Sequence, residues 1–356
     1  MSHETSPEPA GNGTEPAKHP ASPDHRWRWG FVAAALLIAV LMLAVFAGRP
    51  TGTGSVQKII TIQSGTPAKK IAIKLHEAGV LRSPLYFRLY TRLTGKGGAI
   101  KAGPYQFNDG MSPAEILNKL VAGDIYVWRF AVPEGYSIFQ LAELLSARKI
   151  VTKDAFLAAC RDQSLLQELG IGGDSVEGYL FPSTYDLMPG SDAPAIIRQM
   201  VRQFEREFNA RFANRLQAER LTRHQLVTLA SLVEKEAIAP QERPLIAAVF
   251  LNRLQKRMRL QSDPTAVYGK RAFGGTVSAQ EVREVTPYNT YVIPGLPPGP
   301  IGNPGADAIA AVLEPARVPY LYFVAKKDGT HHFSTTLEEH NRAVARYLKN
   351  SAPQAH

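Results

Sequence analysis

The most constraining feature of the sequence is an uncharged apolar stretch near the N-terminus. Residues 30–48 read GFVAAALLIAVLMLAVFAG and contain no charged or hydrogen-bonding side chain. As an α-helix this stretch would be about 28 Å long, close to the roughly 30 Å of hydrocarbon in a bilayer. Because a helix satisfies its own backbone hydrogen bonds in lipid, residues 30–48 are predicted to span a membrane once. The rest of the chain must then fold outside the bilayer.

The charges on either side of this stretch predict its orientation. Three basic residues precede it: Lys18, Arg26 and Arg28. Arg49 directly follows it, and Trp27 and Trp29 occupy positions typical of an interfacial aromatic belt. By the positive-inside rule, the N-terminus is expected in the cytoplasm and the chain beyond about residue 50 outside. A cleaved signal peptide is the alternative, although the apolar run is longer than a typical signal and follows a long polar tail.

The two ends of the chain and its charge balance limit the possible functions. Residues 1–29 are rich in Pro, Ser, Gly and Glu, which predicts a disordered cytoplasmic tail, and residues 348–356 form a short C-terminal tail. Cys160 is the only cysteine, which excludes an intramolecular disulfide and a thiolate metal cluster. The net charge of +10 favours an acidic partner, such as anionic lipid headgroups or an anionic polymer. Nucleic acid is the weaker candidate for an exported chain.

A strand, a glycine turn and an amphipathic helix recur three times, in residues 62–81, 107–123 and 132–150. A hydroxyl residue follows each glycine and is predicted to cap the helix: Thr66, Ser112 and Ser137. Proline is predicted at the first helical position in two of the three. Such units pack as α+β modules. They suit the binding of an extended polymer, and a purely structural repeat is the alternative.

The predicted organisation is therefore a small α+β module over residues 57–130 and a larger mixed α+β domain over residues 131–347. In the larger domain we predict helices and strands from hydrophobic periodicity. The predicted helices cover 153–169, 191–220, 242–258 and 306–313, and the predicted strands cover 320–325 and 331–334.

One helix of the larger domain carries two glutamates. In residues 226–237, LVTLASLVEKEA, the apolar residues cluster on one stripe: Leu226, Leu229, Leu232, Val233 and Ala237. At about 100° per residue, Glu236 lies roughly 50° from the centre of that stripe and Glu234 roughly 110° away. Burial raises the pKa of a carboxyl group, so Glu236 is the candidate general acid. The alternative is a surface Glu-Lys-Glu turn in an ordinary amphipathic helix.

Loops after this helix are rich in aromatic and hydrogen-bonding residues. Residues 261–269 supply Gln261, Asp263, Thr265 and Tyr268 in a predicted loop, and residues 286–291 and 295–304 add amide, hydroxyl and ring surfaces. A pyranose presents an apolar face to aromatic rings and hydroxyls to polar side chains. This composition is typical of a saccharide site, although each segment alone is a weak signal.

Taken in order, these segments closely resemble the endolytic murein transglycosylases of the MltG (YceG-like) family over residues 57–347. The resemblance is carried by the Glu-Lys-Glu helix and by four further segments: LQSDPT at 260–265, YNTY at 288–291, GLPPG at 295–299 and YLYFV at 320–324. It implies a bacterial inner-membrane anchor, a LysM-like glycan-binding module and a periplasmic catalytic domain. It also implies cleavage of the MurNAc-GlcNAc β-1,4 bond of nascent peptidoglycan strands, leaving 1,6-anhydroMurNAc ends that terminate elongation near the membrane. A glycan-polymerising penicillin-binding protein is the implied partner.

The resemblance places the essential glutamate at Glu236, with Glu234 as a supporting residue or as the alternative acid. Asp263 is the candidate second carboxylate, although an Asp before Pro is more often a turn residue. Further residues are candidates for contact with the glycan: Gln261, Thr265, Tyr288, Asn289, Glu177 and Tyr179. For Glu177 and Tyr179, a packing role is equally compatible with the sequence.

No cofactor or metal is expected. His331 and His332 are adjacent in a predicted strand, where they face opposite sides, so a packed or hydrogen-bonded histidine is the favoured interpretation.

A hydrolase that cleaves glycosidic bonds usually needs two carboxylates. A lytic enzyme can use the C6 hydroxyl of the sugar instead of water, so a single acid suffices. Two alternatives remain open on sequence: a non-catalytic glycan-binding scaffold for cell-wall synthesis enzymes, and a muramidase that hydrolyses the same bond.

Overall fold

The computed structural model describes residues 25–216, 221–272, 274 and 276–349. The chain divides into two compact units, one ending at Tyr126 and the other beginning at Val127. Across the described residues, helices are combined with three separate two-stranded antiparallel sheets, which confirms the predicted α+β class.

The N-terminal helix α1 spans His25–Gly48, and its apolar part, Trp27–Gly48, is long enough to cross a membrane. Most of its side chains are exposed, as expected for a helix that needs lipid around it. The helix begins five residues before the predicted span, so residues 25–29 are helical and the prediction of disorder there is wrong. The remaining 24 residues of the predicted tail lie outside the described residues.

The first unit pairs β1 with β2 and packs three helices against them. Lys58 is paired with Phe107 and Ile60 with Tyr105 in the antiparallel register. The core combines aromatic and aliphatic side chains: Ile71, Leu75, Phe87, Tyr105, Phe107 and Leu117. The elements are β1 (Gln57–Ile62), α2 (Ala68–Glu77), α3 (Pro84–Leu93), β2 (Gly103–Asn108) and α4 (Pro113–Ala122).

The predicted helix caps are confirmed at two of three positions. Ser112 caps α4 and Ser137 caps the helix that begins at Ile138, each with a reciprocal bond from the residue three positions on. The prediction for Thr66 is wrong, because its hydroxyl donates to Gln63 O and Pro67 is the residue that precedes α2.

The second unit begins with a strand and is otherwise mainly helical. Its elements up to the glutamate helix are β3 (Trp128–Ala131), α5 (Ile138–Ala147), α6 (Lys153–Ala159), α7 (Gln163–Glu168), β4 (Thr184–Leu187), α8 (Ala193–Arg211), α9 (Ala213–Leu216) and α10 (Arg223–Glu236). The remaining elements are α11 (Arg243–Gln255), α12 (Asp263–Val267), α13 (Ala279–Arg283), α14 (Ala306–Leu313), β5 (Tyr322–Ala325), β6 (His331–Ser334) and α15 (Leu337–Val344). Residues 345–349 form a π-helical turn, and the rest of the predicted C-terminal tail lies outside the described residues.

Three predicted elements of this unit differ from the structure. The helix predicted over 191–220 is divided at Phe212 into α8 and α9, and residues 217–220 lie outside the described residues. The helix predicted over 153–169 is two helices, because Asp162 accepts a hydrogen bond from Leu165 N and starts α7. The loop predicted after Leu260 contains the short helix α12, so Asp263 and Thr265 are helical.

Helix α10 is the centre of the second unit. The reciprocal hydrogen bonds of Thr222 and Gln225 start it, and Ala237 ends it in an extended conformation. All eight residues from Leu226 to Val233 are buried against neighbours that include α11, α12 and α14. This packing fixes the end of the helix, where the two glutamates lie.

Candidate active site

Glu236 is the last residue of α10 and is half-buried. The hydroxyl of Ser262 donates a hydrogen bond to Glu236 Oε1 over 2.6 Å. Ser262 is itself 1% exposed and immediately precedes α12. Among the described residues, no cation lies within ion-pair distance of Glu236. Its carboxyl group is therefore supported by a neutral donor.

Burial raises the pKa of Glu236 to about 7, since the charged form is poorly solvated there. The negative charge of Asp263 raises the pKa further. The hydrogen bonds from Ser262 and from the Asp263 backbone, together with the more distant positive charge of Arg253, oppose this shift. The group can therefore hold a proton near neutral pH, as general acid catalysis requires.

Asp263, the candidate second carboxylate, is anchored by an aromatic residue. The hydroxyl of Tyr291 donates to Asp263 Oδ1 over 2.6 Å. Asp263 is the first residue of α12, directly after Ser262. The structure thus brings together Glu236 and Asp263, although one is supported by a serine and the other by a tyrosine.

Gln261 is exposed and has a left-handed backbone with φ of 50°. Its amide oxygen accepts a hydrogen bond from Arg253 Nη1 at 3.2 Å. Arg253 is 7% exposed, and it also donates to the carbonyl oxygens of Arg259, Leu260 and Leu321. This arginine holds in place the segment that presents Gln261 and Ser262.

Glu234 has a different environment from Glu236. Its Oε1 lies 3.0 Å from Arg243 Nη2, and its Oε2 accepts the backbone N–H of Gly305 at 3.0 Å. The Glu234 side chain is 6% exposed, and both glutamates of α10 are half-buried as whole residues, so the sequence-based contrast in burial is wrong. What separates them is the compensating charge, which favours a structural role for Glu234.

Two of the predicted substrate contacts are fully buried. The Thr265 hydroxyl bonds Ser262 O and Thr290 Oγ1, and the Asn289 amide donates to three backbone carbonyls of residues 281–284. Both residues are 0% exposed. Their hydrogen-bonding groups shape the loops around Ser262, so we leave Thr265 and Asn289 out of the proposed glycan contacts.

Glu177 is also enclosed, at 1% exposure, and its carboxylate lies against the N-terminus of α5. Its carboxylate accepts hydrogen bonds from Ile138 N, Tyr268 Oη and Asn303 Nδ2. Burial raises the pKa of Glu177 to about 7, against the lowering effect of the hydrogen bonds from Ile138 and Tyr268 and of the positive charge of Lys235. The Tyr268 ring lies 4.5 Å from that of Tyr288, which is half-buried.

Tyr179 is 3% exposed and lies elsewhere in the core, where its hydroxyl is 3.2 Å from His224 Nδ1. The sequence left a packing role open for Tyr179 and Glu177, and burial favours that role for both.

His331 is likewise a hydrogen-bonded core residue, 2.7 Å from Glu242, whereas His332 faces solvent. The predicted opposite orientation of the two histidines, with one of them packed and hydrogen-bonded, is confirmed.

A cavity of about 230 Å³ lies beside Lys235, the residue between Glu234 and Glu236 in the sequence. Burial lowers the pKa of Lys235, whose ammonium is 3.4 Å from Gln140 Oε1. Pro264 of α12 contributes to the wall of this cavity. Ser262, just before α12, therefore contacts Glu236, and Pro264 of α12 lines the neighbouring cavity.

Three supporting residues were not singled out from the sequence: Ser262, Arg253 and Arg243. Ser262 was visible as part of the LQSDPT segment, but a serine next to an aspartate gives no sign of which one contacts the acid. The two arginines lie on the mainly apolar helix α11, where Arg253 is buried and Arg243 is half-buried. An arginine within such a helix indicates a paired or hydrogen-bonded side chain.

Comparisons with known proteins place the chain in one family. Residues 60–346 match the YceG-like family. The endolytic murein transglycosylase of Bacillus subtilis is 34% identical over 307 residues, covering 82% of this chain and 85% of that protein. The protein of the same name from Streptococcus pneumoniae is 29% identical over 323 residues, covering 82% of this chain and 58% of that protein.

A crystal structure of a YceG-like protein from Listeria monocytogenes has a similar fold. It superimposes with a TM-score of 0.56 at 32% identity, covering 81% of this chain and 99% of that one. Sequence and structure lead to the same assignment, and this chain belongs to the YceG-like family.

Proposed function

We propose that this chain is an endolytic lytic transglycosylase of peptidoglycan. It cleaves the β-1,4 bond between MurNAc and GlcNAc in nascent strands and leaves 1,6-anhydroMurNAc ends. The observation that carries this proposal is the environment of Glu236, a half-buried carboxyl group with a serine donor and a pKa raised to about 7. The names of the relatives from Bacillus subtilis and Streptococcus pneumoniae support it.

In the proposed reaction, Glu236 gives its proton to the glycosidic oxygen as the bond from that oxygen to C1 of MurNAc breaks. The GlcNAc residue leaves with a free hydroxyl. The Glu236 carboxylate then takes the proton of the MurNAc C6 hydroxyl while the C6 oxygen bonds to C1, which restores the acid without consuming water. Ser262 stabilises the carboxylate formed between these two proton transfers.

A muramidase would need a second carboxylate to activate water. Asp263 is the nearby candidate, and its Oδ1 is engaged by the Tyr291 hydroxyl. We assign Asp263 to raising the proton affinity of Glu236, because its negative charge is one cause of the raised pKa. Gln261, on the exposed side of the same segment, and the half-buried ring of Tyr288 are the proposed glycan contacts.

The first unit completes the proposal. We infer that the part of the first unit from residue 57 to Tyr126, four residues shorter than the module predicted over 57–130, acts as a LysM-like glycan-binding module. We also infer that α1 anchors the chain in the inner membrane, with its N-terminus in the cytoplasm. The catalytic unit then lies in the periplasm, where a glycan-polymerising penicillin-binding protein supplies the strand. The apolar length of α1 supports the anchor, and the excess of basic residues before it supports the orientation.

The test is product analysis with un-crosslinked glycan strands. The wild-type chain should release fragments ending in anhydroMurNAc, which are one water lighter than hydrolysed fragments in mass spectrometry. Glu236→Gln should abolish these products while glycan binding persists. Glu168→Gln, at an exposed glutamate paired with Arg198, is the control and should retain wild-type activity.

Three outcomes contradict the proposal. Fragments with reducing ends would identify a muramidase. Absence of cleavage by the wild-type chain, with glycan binding intact in both forms, would indicate a scaffold. If a folded Glu236→Gln variant released undiminished amounts of anhydro products, Glu236 would not be the general acid. Glu234 would then be the first alternative.

A further inference from the structure

Helix α3 of the first unit carries an apolar stripe that no other described residue covers. Leu85, Leu89 and Leu93 recur every four residues and are 66%, 44% and 66% exposed. At about 100° per residue, these leucines lie opposite Phe87 and Thr91, which are buried in the core of the unit. The helix is therefore apolar on both faces, although only one face contacts protein.

The edges of this stripe carry cations and tyrosines. Arg88 and Arg92 are exposed along one edge, and Tyr86 and Tyr90 lie along the other. Residues 78–108 contain five lysines and arginines and no acidic residue. Among the described residues, no carboxylate lies within ion-pair distance of Arg88 or Arg92. Lys69 lines the same groove between α2 and α3, whose volume is about 670 Å³. Leucines bordered by arginine and tyrosine are typical of helices that lie in a membrane interface.

The position of α3 in its unit supports the same partner. The ring of Phe46, near the end of α1, lies 5.4 Å from the ring of Tyr86. The apolar part of α1 has 22 residues and is roughly 33 Å long, slightly more than the hydrocarbon thickness of a bilayer. If α1 spans the membrane, Phe46 lies within about one helical turn of the hydrocarbon boundary. Helix α3 then lies at the bilayer surface, on the side of the membrane where the first unit is located.

We propose that α3 is a second membrane contact, lying in the interfacial layer of a bilayer that contains anionic lipid. Leu85, Leu89 and Leu93 enter the outer part of the acyl chains. Arg88 and Arg92 extend their charged ends to the lipid phosphates, as long basic side chains do at such interfaces. Two attachments, α1 and α3, fix the orientation of the first unit at the membrane surface, whereas one helix alone would let it pivot. This proposal does not depend on the glycan chemistry of the second unit.

The experiment places a nitroxide label on the full-length chain in phosphatidylethanolamine and phosphatidylglycerol vesicles. Labels at Leu85→Cys, Leu89→Cys and Leu93→Cys report collisions with oxygen, which concentrates in lipid, and with a nickel chelate, which stays in water. Cys160 is fully buried and remains unlabelled. The matched control is Ile59→Cys on β1, because Ile59 is 46% exposed and lies in the same unit.

The proposal predicts a several-fold higher oxygen-to-nickel ratio at the three α3 positions than at residue 59. Equal, water-like ratios at all four positions would overturn it. Spin-spin broadening at residue 89 that disappears on dilution with unlabelled chain would also overturn it, since a second copy would then cover the stripe.

The charge requirement is tested separately. Combining Leu89→Cys with Arg88→Gln and Arg92→Gln should lower the ratio at residue 89 towards the control value, as should vesicles of phosphatidylcholine alone. A ratio unchanged by both treatments would overturn the role of anionic lipid.

Discussion

Ser262 and Glu236 are joined by a 2.6 Å hydrogen bond, although 26 positions separate them in the sequence. The contact links the end of α10 to the start of α12 and gives the acid a neutral partner. Glu234, two residues away, has an arginine instead. Glu236 thus differs from Glu234 more in the charge of its hydrogen-bonding partner than in its burial. Several measurable properties depend on that difference.

The pH dependence of activity should follow the protonation of Glu236. Burial raises its pKa to about 7, and the proposed reaction begins with the protonated form. We therefore expect kcat/KM for glycan cleavage to be nearly constant below about pH 6 and to be halved at about pH 7, where half of the acid is deprotonated. Above it, kcat/KM should fall about tenfold per pH unit, because the fraction of protonated acid falls by that factor. A rate that instead rises through this range would assign Glu236 the role of an initial base.

Replacing Ser262 with alanine should move that decline to higher pH. The serine hydroxyl stabilises the carboxylate, so its loss raises the pKa of Glu236 further, by about one unit for a bond worth roughly 1.5 kcal/mol. The maximal kcat should also fall by about an order of magnitude, since the carboxylate intermediate loses the same support. The pH profile of kcat/KM for Ser262→Ala checks both effects.

Ser231→Ala is the matched control for that substitution. Ser231 is likewise 1% exposed, but its hydroxyl bonds Thr228 O and the backbone N–H of Ile301. We expect it to lower the melting temperature without moving the pH profile. If both variants shifted the profile equally, the effect would come from general loosening of α10.

Removing Arg243 should destabilise the second unit more than removing Glu234. Arg243→Met leaves the buried Glu234 carboxylate uncompensated next to Glu134, at a cost of about 3–5 kcal/mol in the free energy of unfolding. In Glu234→Gln, the amide oxygen can still accept the Gly305 N–H, and Glu134 still neutralises Arg243. Denaturant unfolding of both variants measures the order. The exposed pair of Arg342 and Glu338 is the control, where Arg342→Met should change little.

Glu177 should make the stability of the fold depend on pH. Its pKa is raised to about 7 by burial, so the folded state binds a proton that the unfolded state releases near pH 4.5. Stability is therefore expected to decrease as the pH rises from about 4.5 to about 7, by about 3 kcal/mol. In Glu177→Gln this dependence should be weaker, and urea unfolding at pH 5 and pH 8 compares the two proteins. An equal slope in both would mean that Glu177 is not the titrating group.

Local patterns in the sequence predicted the parts of this fold that depend on local physics. The apolar helix α1, the helix Ala306–Leu313, the caps at Ser112 and Ser137 and the opposite faces of His331 and His332 all follow from periodicity or from one capping bond. Each is determined within a few residues, so a single sequence is enough to indicate it.

Contacts between distant segments were not predictable in this way. Asn303 bonds Glu177 across 126 positions, and Arg243 lies on the helix after the glutamate it neutralises. Composition marked Thr265 and Asn289 as saccharide contacts, because polar residues in a predicted loop are expected to face solvent. The structure turns both inward, where Thr265 bonds the carbonyl of Ser262 and Asn289 bonds the backbone of residues 281–284.

The most direct test of the account is titration of the Glu236 carboxyl group itself. In protein labelled with 13C at the glutamate carboxyl carbons, the resonance that is absent from Glu236→Gln identifies the group, and its shift is followed between about pH 4 and pH 9. We expect an apparent pKa of about 7. A carboxyl group that titrates near 4.5, as in an exposed glutamate, would contradict the assignment of Glu236 as an acid that keeps its proton at neutral pH.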